Sequence, residues 1–421
     1  MLEDEAAPPP GPSRRPLLWA ALAIVAAVAL VAGLVAVVDG DSGEPATDGG
    51  VTSSSPPSST SAAGAPSSTS PGGSAGEGAA EVEAAVAELS AFVEQARGLR
   101  FRQPVEVQLL DGDAFIDRLL ADFEEERADL DDTERYLKAV HLLPDDSNLF
   151  EDLRALYVAG VLGFYDPETG ELVVRGSELS PYVRSTLVHE LVHALDDQHF
   201  ELHRPELEDA DDEREYAFSA LYEGNARAVE EMWVKSLPAE ERAQAEQEER
   251  QAGAALSGVD LPQYLLAVLA FPYVFGEQLV ERLRATGGER RVDEAFRNPP
   301  TTTEHVLRPD KYLAGEPAVA VERPQADGPV IDEGTVGEWD LYLLLAGQLG
   351  EQRAITAADG WGGDRFVAWE DGDRACLRAT FVMDTVGDLG EVAEALEAWA
   401  EEHGDASLVG GDDRVTLTAC G

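Results

Sequence analysis

Apolar and polar positions alternate differently along this chain, and the changes in rhythm mark its elements. Residues 1–16 are polar and proline-rich. Leu17 to Val38 is then an unbroken run of 22 apolar or glycine residues without charge. As a helix it spans about 33 Å, enough to cross a bilayer core. Residues 39–80 are rich in Ser, Thr, Pro, Gly and Ala and lack the apolar content to bury a core, which predicts a disordered linker. From Glu81 helical periodicity begins. It predicts helices over 81–97, 111–126, 133–142 and 148–159, with a strand at 105–110. Residues 163–175 alternate as a β-hairpin turning at Pro167–Gly170. Helices follow at 180–200, 209–237 and 239–255. The apolar stretch 261–286, interrupted at Phe271-Pro272, predicts a buried helix pair, and 298–312 a polar loop. From about Glu316 the order is a helix near 337–349, strands at 365–370 and 375–383, a helix at 389–403, and strands at 406–409 and 414–418. Gly360–Arg365 reads as a tight turn with Trp361 packed. The fold class expected is α+β: a mainly helical domain over 81–315 with a small hairpin or sheet before the 180–200 helix, and a small α+β unit over 316–421.

Arg14 and Arg15 flank the apolar run on its N-terminal side, so the positive-inside rule keeps residues 1–16 cytoplasmic. Residues 17–38 then read as a signal-anchor helix, with a cleaved signal as the competing reading. The expected protein is a single-pass protein of the cell membrane, its C-terminal bulk extracytoplasmic and held through the N-terminal helix. The linker of about 42 residues spans on the order of 35 Å as a coil. Charge adds an exclusion. Thirty-one basic against 82 acidic residues leave a formal charge of −51, which repels nucleic acid and anionic lipid. Outside the cytoplasm, Cys376 and Cys420, the two cysteines of the chain, can pair if their strands are neighbours.

The 180–200 helix carries the chemistry. Ser180 offers a capping hydroxyl and Pro181 suits the first helical position. His189-Glu190-Leu191-Val192-His193 then places two imidazoles one turn apart on one face, able to share a metal ion, with Glu190 beside them to reach a water. A catalytic zinc site needs a third protein ligand. Asp197 lies eight residues beyond His189, about 12 Å along a straight helix and too far to share the ion. His199, ten residues beyond His189, has the spacing of a metzincin third histidine, but Asp196 stands where those proteins carry glycine. Glu223 lies 30 residues after His193 on the next long helix, beside Gly224, Asn225 and Ala226, and is favoured.

His189–His193 with Glu223 in a Glu-Gly-Asn-Ala setting resembles the gluzincin clan of zinc metallopeptidases. The run His189–Phe200, the Thr302–Tyr312 segment and Gly360–Arg365 together resemble a group of membrane-anchored or secreted bacterial H-E-x-x-H proteins. The resemblance implies a zincin-like catalytic domain binding Zn2+ through His189, His193 and Glu223. It also implies Glu190 as general base and a peptide or protein substrate. Tyr312 or His305 is the expected oxyanion donor. Two positions depart from the pattern. Arg227 stands where many gluzincins carry an Asp that supports a histidine ligand, and Arg308 stands where a histidine is expected. The competing expectation is a catalytically silent zincin-like binding or adaptor domain on the cell surface.

Overall fold

A computed structural model of the protein describes residues 75–121, 123–176, 178–208, 212–256 and 258–421. Segment 1–16, the expected anchor 17–38 and residues 39–74 of the expected linker lie outside them, while residues 75–80, expected as its end, are already helical. The fold is α+β, mainly helical, with one small sheet ahead of the motif helix and a larger one near the C-terminus.

Helix α1 (Ala75–Arg97) leads into β1 (Val107–Leu110), α2 (Gly112–Leu119), a 3-10 turn at Phe123–Glu126, α3 (Arg127–Ala139) and α4 (Leu149–Gly160). The helix expected over 111–126 therefore stops early. Its continuation turns so that Phe123 packs on Phe150 at a tilt, ring centroids 4.6 Å apart, and meets Tyr157 edge-on at 5.4 Å. Strands β2 (Gly163–Asp166) and β3 (Glu171–Arg175) form the hairpin, and β1 joins β3 in parallel, giving the order β1-β3-β2 with β2 at an edge.

The motif helix is α5 (Pro181–Phe200). The Ser180 hydroxyl accepts from the Val183 amide at 3.3 Å, and Pro181 fills its first turn. Leu187, Val188, Leu191, Val192 and Leu195 are all fully buried, so α5 is a core helix rather than a surface one. Short α6 (Pro205–Glu208) precedes α7 (Asp212–Ser236), α8 (Ala239–Leu256) and α9 (Gln263–Gly287). Helices α7 and α9 touch backbone to backbone. A Cβ added at Gly276 would stand 2.0 Å from the Ala220 carbonyl oxygen, and one at Gly224 would stand 2.0 Å from the Gly276 carbonyl carbon.

The break expected at Phe271-Pro272 does not occur, because α9 runs through Pro272. Proline supplies no N–H to the carbonyl four residues back, that of Val268. The Tyr216 hydroxyl, from α7, donates to that oxygen at 2.7 Å and replaces the missing bond. Helix α9 is long and apolar enough to cross a membrane, yet most of its apolar window is buried inside the protein.

Helices α10 (Glu289–Arg297), α11 (Thr303–Leu307) and α12 (Pro309–Ala314) follow; the last two occupy the segment expected as loop. The Thr302 hydroxyl caps α11, accepting from the His305 amide, and Pro309 starts α12. Next come β4 (Val330–Gly334), α13 (Gly337–Leu349), α14 (Glu351–Ala358), β5 (Trp361–Asp371), β6 (Arg374–Met383), α15 (Val386–Glu402), β7 (Ala406–Gly410) and β8 (Val415–Cys420). The antiparallel sheet has order β4-β5-β6-β8-β7. Trp361 is buried as expected, but Gly360–Arg365 is not a turn: β5 begins at Trp361. Cys376 lies directly opposite Cys420 on β6 and β8, and the two form a disulfide. Closing that loop stabilises by about 4 kcal/mol on the chain-entropy account.

The helical part and the C-terminal unit share polar contacts. Arg308 donates to Glu338 at 2.7 Å and pairs with Asp359 at 2.9 Å. Glu338 is only 2% exposed, and burial, which outweighs the Arg308 charge, lifts its carboxyl to about 8. A carboxyl that binds its proton more tightly when folded stabilises the fold below its unfolded value, and that contribution fades as pH rises through 8. The urea midpoint is therefore expected to fall between pH 5 and pH 8, and Glu338→Gln to reduce that fall; an unchanged pH slope in the variant refutes this. Gly276→Ala forces a Cβ into the α7 backbone, so a loss of at least about 1–3 kcal/mol is expected in urea denaturation.

Candidate metal centre

Helices α5 and α7 lie side by side and bring His189, His193 and Glu223 together in the protein interior. Glu223 Oε2 stands 3.1 Å from His189 Nε2 and 3.4 Å from His193 Nε2. Ligand atoms bonded at about 2.0–2.1 Å to a tetrahedral ion stand about 3.3–3.4 Å apart, so these separations suit one ion between them. The three residues are 0%, 6% and 2% exposed. Among the described residues no other group of three His, Cys, Asp or Glu side chains converges in this way.

The surroundings favour a cation. Glu190, Glu223 and Glu230 place three buried carboxylates around two imidazoles, while Arg227 supplies one compensating charge, donating to Glu230 Oε2 at 3.1 Å. With neutral imidazoles, the form that binds a metal, the excess is two negative charges, which a divalent ion balances; without an ion, a proton on His189 offsets one of them. Glu190 Oε1 and Glu223 Oε1 are buried without a hydrogen-bond partner. The residues present therefore fit a divalent metal ion.

His189 is oriented from its other side. Its Nδ1 lies 3.3 Å from Glu230 Oε2, so Nδ1–H donates to that carboxylate and Nε2 is left to face Glu223 and His193. Arg227, four residues after Glu223, thus acts through Glu230 rather than on the histidine itself. Glu230 lies seven residues after Glu223, two turns along the same face of α7, a spacing legible in the sequence but passed over there.

Protonation follows the same charges. Burial works against a charged His189, yet the hydrogen bonds to Glu223 and Glu230 raise it to about 10. Burial is also the main influence on Glu223, but both histidines oppose it and hold its carboxyl below the usual value. Burial lifts Glu190 to about 7, the opposing histidine charges notwithstanding.

Asp196, where a metzincin would carry glycine, is instead the centre of a buried polar cluster. Arg97 of α1 donates to it through Nε at 3.0 Å and Nη2 at 2.8 Å, and Asn225 of α7 through Nδ2 at 2.5 Å. Arg284 of α9 donates to Asn225 Oδ1 at 2.9 Å, and Arg97 also pairs with Glu289 and Asp293 of α10. Five helices are thereby pinned beside the triad.

The other candidates are engaged elsewhere. Asp197 accepts from the Tyr165 hydroxyl at 2.7 Å and the Leu202 amide at 2.8 Å, which ties β2 to the end of α5. His199 Nε2–H donates to the Arg100 carbonyl at 2.8 Å. His305 Nδ1 accepts from the Thr301 amide at 3.3 Å while Nε2–H donates to the Glu316 carbonyl at 2.8 Å, so both ring nitrogens are used. The Tyr312 hydroxyl donates to the Asn298 carbonyl at 2.6 Å. The phenols nearest the triad come from other elements. Tyr222 of α7 stands edge-on to His193 at 5.6 Å between ring centroids, and Tyr273 of α9 lies 6.2 Å from the His189 ring. Tyr273 is held well above the usual tyrosine value, by burial first and then by the charges of Glu223 and Glu190, which places its hydroxyl in their field.

A family described as "Domain of unknown function (DUF8575)" matches residues 325–419, a stretch covering most of the C-terminal unit and none of the triad. No curated protein and no solved structure matches the chain.

Metal analysis of the purified protein is expected to give about one divalent ion per chain. Glu223→Ala should lose it and His199→Ala should keep it. Glu230→Ala should weaken binding by roughly 10–100-fold, because His189 loses its orienting partner. Full metal content in Glu223→Ala would overturn the ligand set.

Proposed function

We propose that this chain is a zinc-dependent peptidase of the gluzincin-like type, with a zincin-like fold around α5 and α7. In this reading residues 17–38 anchor it in the cell membrane and the remainder faces the extracytoplasmic side. The observation that carries the proposal is the convergence of His189, His193 and Glu223 at tetrahedral separations with an unpartnered Glu190 oxygen buried beside them. His189 and His193 would hold the ion through Nε2 and Glu223 through Oε2. Zinc bound there supplies a Lewis acid for the scissile carbonyl and makes water acidic enough to be deprotonated near neutral pH.

The chain's own residues account for the rest. Glu190 accepts the proton of the attacking water and delivers it to the leaving amine, a role that suits its oxygen buried without a hydrogen-bond partner beside the triad. Glu230, steadied by Arg227, keeps the His189 proton on Nδ1. Tyr273 is proposed as the donor for the developing oxyanion in place of Tyr312 and His305, since its hydroxyl interacts with Glu223 inside the site while theirs bond to backbone elsewhere. Strand β2 packs against α5, and among the described residues its outer edge has no neighbouring strand in the sheet, so an extended peptide can pair with it.

The test is peptide cleavage by the zinc-loaded full chain. Glu190→Gln should retain zinc and lose at least about 10²-fold in kcat/KM, while Tyr273→Phe should lower kcat with KM little changed. Undiminished cleavage by Glu190→Gln would remove this mechanism. A zinc-loaded wild type that cleaves no peptide in a broad library would leave the silent surface-binding alternative standing.

A further inference from the structure

Away from the triad, helices α9 and α13 line a partly open pocket of about 1100 Å³, bounded on other sides by α8, residues 259–261 and residues 141–145. The volume is slightly above the usual range of roughly 300–1,000 Å³ for small-molecule sites. Helix α9 divides the two places: Tyr273 looks toward the triad, while Phe271, Val274 and Phe275 line the cavity.

One wall is aromatic. Phe271 and Phe275 lie 5.2 Å apart, Trp339 stands 5.1 Å and 5.2 Å from them, and Tyr342 stacks on Trp339 at 5.2 Å. Phe275 and Tyr342 are only half-buried, so part of this surface faces open space. The lining ends in charge: Asp145, Asp260 and Glu351 are exposed carboxylates among the lining residues. Arg250 is also there, already paired with Glu246 at 4.0 Å. Aromatic faces attract cations electrostatically, an apolar interior takes hydrocarbon, and an acidic rim repels anions.

We propose that this cavity binds an amphipathic cation: a molecule with a long apolar tail and an amine or quaternary ammonium head. The tail lies along the aromatic wall between α9 and α13, and the head sits at the acidic rim. An anionic amphiphile of the same length is rejected by the carboxylates. The site is separate from the metal centre and does not depend on the peptidase reading.

The test uses the full chain in nanodiscs of uncharged galactolipid. The probes are a dodecyltrimethylammonium with a photoreactive diazirine on its tail, and the same tail bearing a sulfate or a hydroxyl head. Cross-linked peptides are mapped by mass spectrometry. The cationic probe should label residues 263–275 and 337–347 on the order of tenfold more than the sulfate probe. Gly347→Trp, at an exposed position where an added Cβ meets no neighbouring atom, should abolish that labelling by filling the opening, with an unchanged urea midpoint showing that the fold is kept. The double variant Asp145→Lys, Asp260→Lys should reverse the preference between the two charged heads. Equal labelling by all three probes, or labelling retained in Gly347→Trp, would overturn the proposal, as would labelling confined to residues 17–38. Natural lipid as the source is tested by exchanging the galactolipid for phosphatidylcholine. Competition there identifies the membrane as a supplier, and undiminished labelling assigns the site to free amphipathic amines.

Discussion

Carboxylates in the core impose the constraint on which the rest of this structure depends. Glu190, Asp196, Glu223 and Glu230 all come from α5 and α7, and each is at most 2% exposed. An ionised carboxylate without partners is too costly to keep in such a place. Two kinds of compensation appear. Asp196 is surrounded by Arg97 and Asn225, so its partners are built into the chain, whereas Glu190 and Glu223 each keep an oxygen with none. The division separates scaffold from site within a few residues of one helix. Asp196 needs nothing further, while Glu223 belongs to the group that could hold a metal ion and Glu190 stands beside it.

The same constraint explains why the helices are held so closely. Ligands on two helices share an ion only if those helices stay in register to within a few tenths of an ångström. Helix α7 is clamped on one side to α9 through Gly224 and Gly276, and on another to α1, α5, α9 and α10 through the Arg97–Asp196–Asn225–Arg284 cluster. Small residues allow the approach, and buried ion pairs hold its angle.

Much of this was legible before the structure. The motif helix announced itself through Ser180-Pro181 and its apolar interior, and Glu223 through a spacing that leaves room for one loop and an antiparallel return. Features of the fold that depend on distant partners were not legible. Pro272 looked like a helix break because the rule for proline is local, and the hydroxyl that offsets it sits on another helix. Tyr273 gave no signal, since the face of α9 that meets the triad is set by where α9 crosses α7. His305 and Tyr312 show how partners set by the fold change the picture at residues that looked exposed to chemistry. Their polar setting suggested chemistry, and the fold commits their hydrogen bonds to nearby backbone carbonyls and amides. In the C-terminal unit the longer strands and helices were readable, while β4 and α14 acquire their meaning from neighbours that a short window does not contain.

The bond between Tyr216 and Val268 makes one unit of two residues distant in the chain. Proline at 272 is acceptable because a phenol at 216 serves the carbonyl it leaves unsatisfied, and the phenol is in turn buried among groups that demand a partner for it. Neither position is free to drift alone. A lineage that loses the tyrosine first strands a buried carbonyl. One that loses the proline first makes two donors compete for a single oxygen. Substitutions at 216 and 272 should therefore travel together among related chains, as a record of helix packing rather than of chemistry at the metal centre.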